Sequence, residues 1–404
     1  VSLAIEKPAA GGRMIARLSG QVVLVGGAIP GERVTARIER VGKGVLYADT
    51  VSADEPSPDR RPVVTDPLCG GCLYAHISYT RQLALKSDVI ADAFTRIGRV
   101  ALSGPVTVAP SPEEGYRMRA RLHVRGQRYG FFREGTHDIC DARATRQLLP
   151  ASYDVLDRLT AAIRSVDAGN AQGVREIELA ENIDASSRAI CLDTASAIDV
   201  RTVQRLSETE GLTGFGPDAT VTDTLTVDGA PLVLRRNVLA FFQGNRYLLH
   251  DLVAHVVAQV PRHASVVDLY AGAGLFAIGT AACRSAHVAA VEGDRVSVAD
   301  LSVNVAAHDV EVRHEPVETF LAGARIAPEA FIVDPPRTGM SRDALDGMIR
   351  LRPARVIYVS CDVATLARDS RRLVEAGYAI TRADAFDLFP NTPHVETVVV
   401  FDRT

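Results

Sequence analysis

The stretch Ala264-Ser-Val-Val-Asp-Leu-Tyr-Ala-Gly-Ala-Gly-Leu-Phe276 constrains the fold more than any other part of the chain. An apolar run ends on Asp268, turns through Gly272-x-Gly274 and passes into a helical pattern. Glycines at those two places let the backbone turn sharply and approach a ligand closely. A second apolar run, His287-Val-Ala-Ala-Val291, ends on Glu292, 24 residues after Asp268. Strand, helix and strand at this spacing point to a parallel sheet covered by helices on both faces. From about Val238 to the end the strand–helix alternation repeats, so the C-terminal half reads as one Rossmann-like α/β body.

Ligands of such sheets sit outside the carboxyl ends of the strands. An acidic residue at the end of the second strand, Glu292, is placed to accept hydrogen bonds from ribose hydroxyls. The third glycine of a dinucleotide fingerprint is missing, because Ala277 follows Gly272-Ala-Gly274-Leu-Phe. That favours a methyltransferase-type site over a nicotinamide site. Two further strands end on chemistry: Ala330-Phe-Ile-Val runs into Asp334-Pro-Pro-Arg337, and Arg355-Val-Ile-Tyr-Val359 into Ser360-Cys361-Asp362. Asp268, Glu292, Asp334 and Cys361 are therefore expected along one rim. Most cysteines are small buried hydrophobes, which suits Cys191 and Cys283; a cysteine at the ligand end of a strand is a different case.

The N-terminal part follows another rule. Short β-rich runs at Gln21–Val25, Arg33–Ile38 and Val45–Ala48 are separated by Gly11-Gly12, Gly26-Gly27, Pro30-Gly31 and Gly42-Lys-Gly44. Turn punctuation about every ten residues suits a small OB-like barrel of the kind that binds oligonucleotides. A boundary rich in proline (Pro56, Pro58, Pro62, Pro67) follows, then a helical pattern over 80–98 with Leu83, Ile90 and Phe94 on one stripe. Residues 105–235 mix strands and helical patterns, as in an α+β domain. The expected division is 1–56, 57–235 and 236–404.

The net charge of −4 hides a local bias. Residues 61–150 carry 13 Lys and Arg against 8 Asp and Glu. In Tyr116-Arg-Met-Arg-Ala-Arg-Leu-His-Val-Arg125, the residues Arg117, Arg119, Arg121, His123 and Arg125 alternate with apolar ones. Period two means a half-buried strand. With no acid interleaved, the polar face is expected to be a row of guanidinium groups in water, suited to phosphate oxygens. Six cysteines in 404 residues are too few for a disulfide scaffold, and no apolar run could span a bilayer. A cytoplasmic protein without a membrane partner is the default expectation.

Taken in order, these residues resemble the RNA 5-methyluridine (uracil-C5) methyltransferase family. The opening barrel, with Gly11-Gly12, Val25 through Arg33 and Ser57-Pro-Asp-Arg60, is similar to the family's TRAM domain; Tyr116-Arg117 through Gly130-Phe-Phe-Arg133 is similar to its central domain. Phe241-Phe-Gln243-x-Asn245, Asp268-Leu-Tyr-x-Gly-x-Gly274, Asp334-Pro-Pro-Arg337, Ser360-Cys361 with Thr365-Leu-Ala-Arg-Asp369, and Asp387-x-Phe-Pro-x-Thr-x-His-Val-Glu396 match its catalytic motifs. The resemblance implies three parts: a TRAM barrel, a central RNA-binding domain, and a class I methyltransferase domain using S-adenosyl-L-methionine. It implies that Cys361 adds to C6 of uracil, that Glu396 removes the C5 proton, and that Gln243, Tyr270, Glu292 and Asp334 contact S-adenosylmethionine. Arg117, Arg119, Arg121 and Arg125 would hold the RNA, either 23S rRNA or tRNA. A monomer suits a protein that wraps a folded RNA.

One feature departs from that pattern. Many family members hold a 4Fe–4S iron–sulfur cluster on four cysteines. Here Cys69, Cys72 and Cys140 match three of them, and Val63 stands about where the first would fall. Each cluster iron normally takes a Cys thiolate, so an incomplete cluster, a zinc ion or a metal-free set all remain open at this point. Two other readings of the chain exist. In an adenine amino-methyltransferase, the residue after Asp334-Pro-Pro should stack on the base, which Arg337 does not do in the same way. Such an enzyme also has no use for Cys361 or Glu396. The other reading is an RNA-binding or RNA-folding factor with secondary or lost catalysis, and the intact Cys361 and Glu396 argue against loss.

Overall fold

The computed structural model describes residues 1–63, 65–126, 128–166, 173–194 and 211–404. Five strands, Ser2–Pro8, Met14–Leu18, Gln21–Gly26, Arg33–Gly42 and Val45–Glu55, close into a barrel in which the third strand pairs with the fifth. Alternate residues Leu3, Ile5, Met14, Val23, Val25 and Val34 fill it. Closure leaves no unpaired edge strand. The barrel core is completed from outside, by Tyr74, Ile77 and Leu85 of the following segment. That segment contains the helix Tyr79–Ala93, continued by one wider turn at Phe94–Gly98, close to the expected 80–98.

The central part is a six-stranded sheet in the order Gly214–Phe215, Arg188–Thr194, Val174–Glu181, Arg119–Arg125, Arg128–Phe132, Ile139–Asp141. One face packs on the helix Pro150–Val166 through Ala120, Leu122, Val124, Leu156, Leu159, Ile177 and Leu179. The period-two reading of residues 117–125 places these apolar residues correctly.

The C-terminal body is an eight-stranded sheet. Its order is Val310–His314, His287–Glu292, Ser265–Leu269, Ala330–Val333, Arg355–Ser360, Glu396–Arg403, Tyr378–Phe386, Val108–Ala109. The first five strands run parallel, and Glu396–Arg403 is antiparallel to both neighbours. Both faces of the central strands are covered, which is why Ser265–Leu269, His287–Glu292, Ala330–Val333 and Arg355–Ser360 are almost continuously apolar. Helices Leu249–Ala258, Leu275–Arg284 and Arg295–Asn304 line one face, together with the hairpin Thr220–Val227/Ala230–Asn237. Helices Val317–Gly323, Arg342–Leu351 and Val363–Glu375 line the other, joined by Ile90, Ala93 and Phe94 of the helix after the barrel. No described helix is long and apolar enough to cross a membrane.

Candidate active site

The predicted rim forms. Cys361 follows the strand Arg355–Ser360 directly and precedes Asp362, whose carboxylate caps the next helix by accepting from the Thr365 amide at 2.8 Å. Glu396 opens the neighbouring antiparallel strand, and Ser360 is paired in register with Thr397. Cys361 and Glu396 therefore stand beside one another at the same sheet end. Asp334 follows the adjacent strand on the other side, Ala330–Val333. Gln243 arrives from the loop before the helix Leu249–Ala258 and donates its side-chain amide to Asp334 at 3.1 Å.

The electrostatics of this end are those of acids crowded in a dry place. Glu396 is buried, with 1% of its surface exposed. Its Oε1 has no hydrogen-bond partner among the described residues. Burial, then the neighbouring Asp334 charge, push its pKa well above the usual carboxylate range, against the pull of Arg337. Burial also raises Asp334 to about 7, with the Gln243 hydrogen bond opposing. Cys361 is pushed up to about 12 by burial and by Glu396, again opposed by Arg337. Arg337 is thus a cation that faces both Cys361 and Glu396. The sequence contained it only as the fourth residue of a motif; its place beside the thiol is a tertiary fact.

The position of Arg337 is set by the next helix. Thr365 donates its hydroxyl to the Arg337 carbonyl at 3.3 Å, and Asp369 accepts from the Met340 amide at 3.0 Å. Gly339 between them has φ +72°, and a Cβ there would lie 2.6 Å from Arg368 Nη2 and 2.8 Å from Asp369 Oδ2. Only glycine fits such a turn pressed against its neighbour. This gives the Thr365–Asp369 motif a physical reason. His394, two residues before Glu396, stays a neutral imidazole: burial and then the charges of Arg337, Lys86 and Arg117 lower it to about 4.

The cofactor end lies one and two strands away. Gly272 (φ +56°) and Gly274 (φ +94°) form the left-handed turn after Ser265–Leu269, and nothing lies within 4 Å of where a Cβ on Gly272 would point. The Glu292 carboxylate accepts from the amides of Gly272 at 2.8 Å and Asp294 at 2.6 Å. Those bonds fix its orientation and leave lone pairs for two ligand hydroxyls. Tyr270 lies half-buried at the same turn, with φ +62°. An open glycine cradle beside a held carboxylate fits the ribose and methionine parts of S-adenosylmethionine. Asp268 is fully buried beneath the turn, and burial with the nearby Asp334 charge raises its pKa well above normal.

The arginine row needs a correction. It is not an uncompensated cationic face, because acids come in from the adjacent strand Val174–Glu181, where Glu178 pairs in register with Arg121 and Glu176 with His123. Arg119 lies 3.5 Å from Glu178 with a mostly covered side chain. Arg121 pairs with both Glu178 and Glu176. Arg117 leaves the row, donates to Gln147 Oε1 at 2.6 Å and lies over the Phe389 ring. Arg125 keeps an exposed guanidinium near the Phe132 ring, on which His123 is stacked at 3.4 Å. Single-strand periodicity cannot see a cross-strand partner.

Cys69, Cys72 and Cys140 do come together, bordering a cavity of about 290 Å³. However, Cys69 and Cys140 are joined as a disulfide. The other nearby donors are engaged: Asp66 pairs with Arg133 at 2.7 Å, and buried His76 donates Nε2–H to the Ala28 carbonyl at 3.1 Å. No group of three or more metal-ligating side chains is set to hold an ion among the described residues. Space is present, but the donor set does not fit a 4Fe–4S cluster.

Residues 1–51 match the TRAM domain family, and residues 323–404 match the family described as tRNA (Uracil-5-)-methyltransferase. The chain is 32% identical to a 23S rRNA (uracil(1939)-C(5))-methyltransferase of Pseudomonas putida, covering 99% of this chain and 93% of that protein. It is 30% identical to an uncharacterized RNA methyltransferase of Thermotoga maritima, over 98% and 97% of the two chains. Its fold is similar to that of Pyrococcus abyssi tRNA (uracil-54, C5)-methyltransferase, solved with S-adenosyl-L-homocysteine, at TM-score 0.77 and 24% identity over 99% of both chains. The chain is therefore a member of the S-adenosylmethionine-dependent RNA (uracil-C5)-methyltransferases.

Proposed function

We propose that this chain forms 5-methyluridine in 23S rRNA through a covalent adduct between Cys361 and C6 of the target uracil, with Glu396 as the base. The observation that carries the reading is the side-by-side placement of Cys361 and a buried Glu396, whose Oε1 has no hydrogen-bond partner among the described residues, on two paired strands next to Asp334 and Arg337. C5 of uracil is a poor carbon nucleophile. Cys361 loses its thiol proton to solvent and adds to C6 as the thiolate, which moves the C5–C6 π pair towards the C4 oxygen and makes C5 nucleophilic. Gln243, Tyr270, Glu292 and Asp334 would hold S-adenosylmethionine, whose methyl group would pass to C5 with S-adenosylhomocysteine as the leaving group. Glu396 then takes the C5 proton, the C5–C6 double bond re-forms and the sulfur leaves C6. A carboxylate with a raised pKa is a stronger base for this step than an exposed one.

Arg337 favours the thiolate that must form. The uracil has to leave its stack to reach this recess. Residues 57–235 would hold the surrounding RNA, with Arg125 on an open face and Arg117 over the Phe389 ring. The 23S rRNA assignment is supported by the name of the Pseudomonas relative, which is closer in sequence than the tRNA-modifying Pyrococcus protein. The test is methyl transfer from labelled S-adenosylmethionine to unmodified 23S rRNA and to tRNA, followed by nucleoside analysis. Label in 5-methyluridine from the rRNA is expected. Label from tRNA alone would move the substrate, and activity in Cys361→Ala would overturn the mechanism.

A further inference from the structure

The helix Tyr79–Ala93 buries two polar side chains one turn apart, Gln82 and Lys86, with 0% and 1% exposed surface. Apolar residues there would avoid the cost of drying an amide and an ammonium group. Both side chains reach the same target, the loop between strands Tyr378–Phe386 and Glu396–Arg403. Lys86 Nζ donates to Asp387 Oδ1 at 2.5 Å and to the Phe389 carbonyl at 3.2 Å. Gln82 donates to Asn391 Oδ1 and accepts from the Asn391 amide, both at 2.9 Å. Asn391 itself sits at φ +64°, so this loop is held in a conformation that a free chain would seldom keep.

The loop carries His394 and delivers Glu396 to the site. Its Phe389 ring lies against His394 and under Arg117. Lys86 thereby ties a helix that packs on the barrel to the segment that aims the carboxylate. We propose that Lys86 is a positioning residue for proton removal at C5, acting through Asp387 and the Phe389 backbone on the placement of Glu396. The assignment rests on the reading of Glu396 as the base.

The test separates adduct formation from turnover. RNA carrying 5-fluorouridine at the target needs Cys361 and the methyl donor to form its adduct, but offers no C5 proton to remove. Lys86→Met and the charge-balanced double variant Lys86→Met/Asp387→Asn are compared with the parent. The expected result is an adduct rate on 5-fluorouridine RNA within about twofold of the parent, while turnover on uridine RNA falls about tenfold or more and methylated RNA–protein adduct accumulates. Equal losses in both assays, or unchanged turnover, would overturn the assignment. So would loss of S-adenosylmethionine binding in both variants, which would mark Lys86 as a folding residue. An absence of adduct in the parent would instead remove the covalent reading, and this inference with it.

Discussion

Tyr358, three residues before Cys361, donates its hydroxyl to Asp369 Oδ2 at 2.7 Å, and both groups are buried. The same carboxylate oxygen accepts from the Met340 amide, so one acid joins the strand below Cys361 to the loop that carries Arg337. Asp369→Ala should leave the hydroxyl and the amide unpaired and cost about 2–4 kcal/mol of stability, since each unmet buried polar group costs about 1–3 kcal/mol. Tyr358→Phe should cost less, about 1 kcal/mol. Denaturant midpoints check both. Asp369→Ala should also lower kcat more than it raises KM, because it loosens Arg337; an unchanged kcat would separate the loop from catalysis.

The high pKa of Cys361 has a direct chemical consequence. Its pKa is about 12, raised first by burial, so below that pH the group is a neutral thiol in the free protein. Alkylation by iodoacetamide should be slow at pH 7 and rise about tenfold per pH unit as thiolate appears, read by mass spectrometry of the Cys361 peptide. Arg337→Ala removes a cation that favours the thiolate, so its alkylation should be slower at every pH. Fast labelling at pH 7 would contradict the burial argument.

Glu396→Gln keeps the shape of the side chain but cannot take a proton. Turnover should fall about 10²–10⁴-fold, the usual weight of a general base, with S-adenosylmethionine affinity retained. Gel-shifted covalent complex with uridine RNA should accumulate in this variant. Wild-type turnover would remove Glu396 from the mechanism.

Glu292→Ala removes the carboxylate held by the Gly272 and Asp294 amides. Loss of hydrogen bonds to ligand hydroxyls should cost about 1–3 kcal/mol of binding, roughly a tenfold or greater rise in Kd for S-adenosylmethionine. RNA affinity should not change. Calorimetry with each ligand separately makes the comparison.

Arg119 and Arg125 should separate within one strand. Arg119 is largely covered and faces Glu178, so Arg119→Ala should lower stability, leaving Glu178 without that partner. Arg125 is exposed, so Arg125→Ala should leave stability nearly unchanged, weaken RNA binding and reduce the salt dependence by about one phosphate contact. Titrations at several salt concentrations check this.

The amino-acid pattern alone determined the local chemistry of each strand end. Asp268 before Gly272-x-Gly274, Glu292 at the end of the next strand, Asp334 before two prolines and Cys361 before a capping aspartate are statements about a few neighbouring residues. A parallel sheet aligns such ends without further information. The alternation of residues 117–125 likewise assigned the buried face of its strand, because side-chain direction follows the backbone period.

Partnership across the chain was decided only by the tertiary structure. The acids that face the arginine row lie on a strand some 55 residues later. The strand Val108–Ala109 and the residues Ile90 and Phe94 belong to the core of a body whose other strands begin at Ser265. Lys86 and Asp387 meet across 301 residues. Periodicity and turn chemistry act over one or two turns of backbone, whereas which buried charge answers which is settled when distant elements pack and every unpaired group in the dry interior must find a partner.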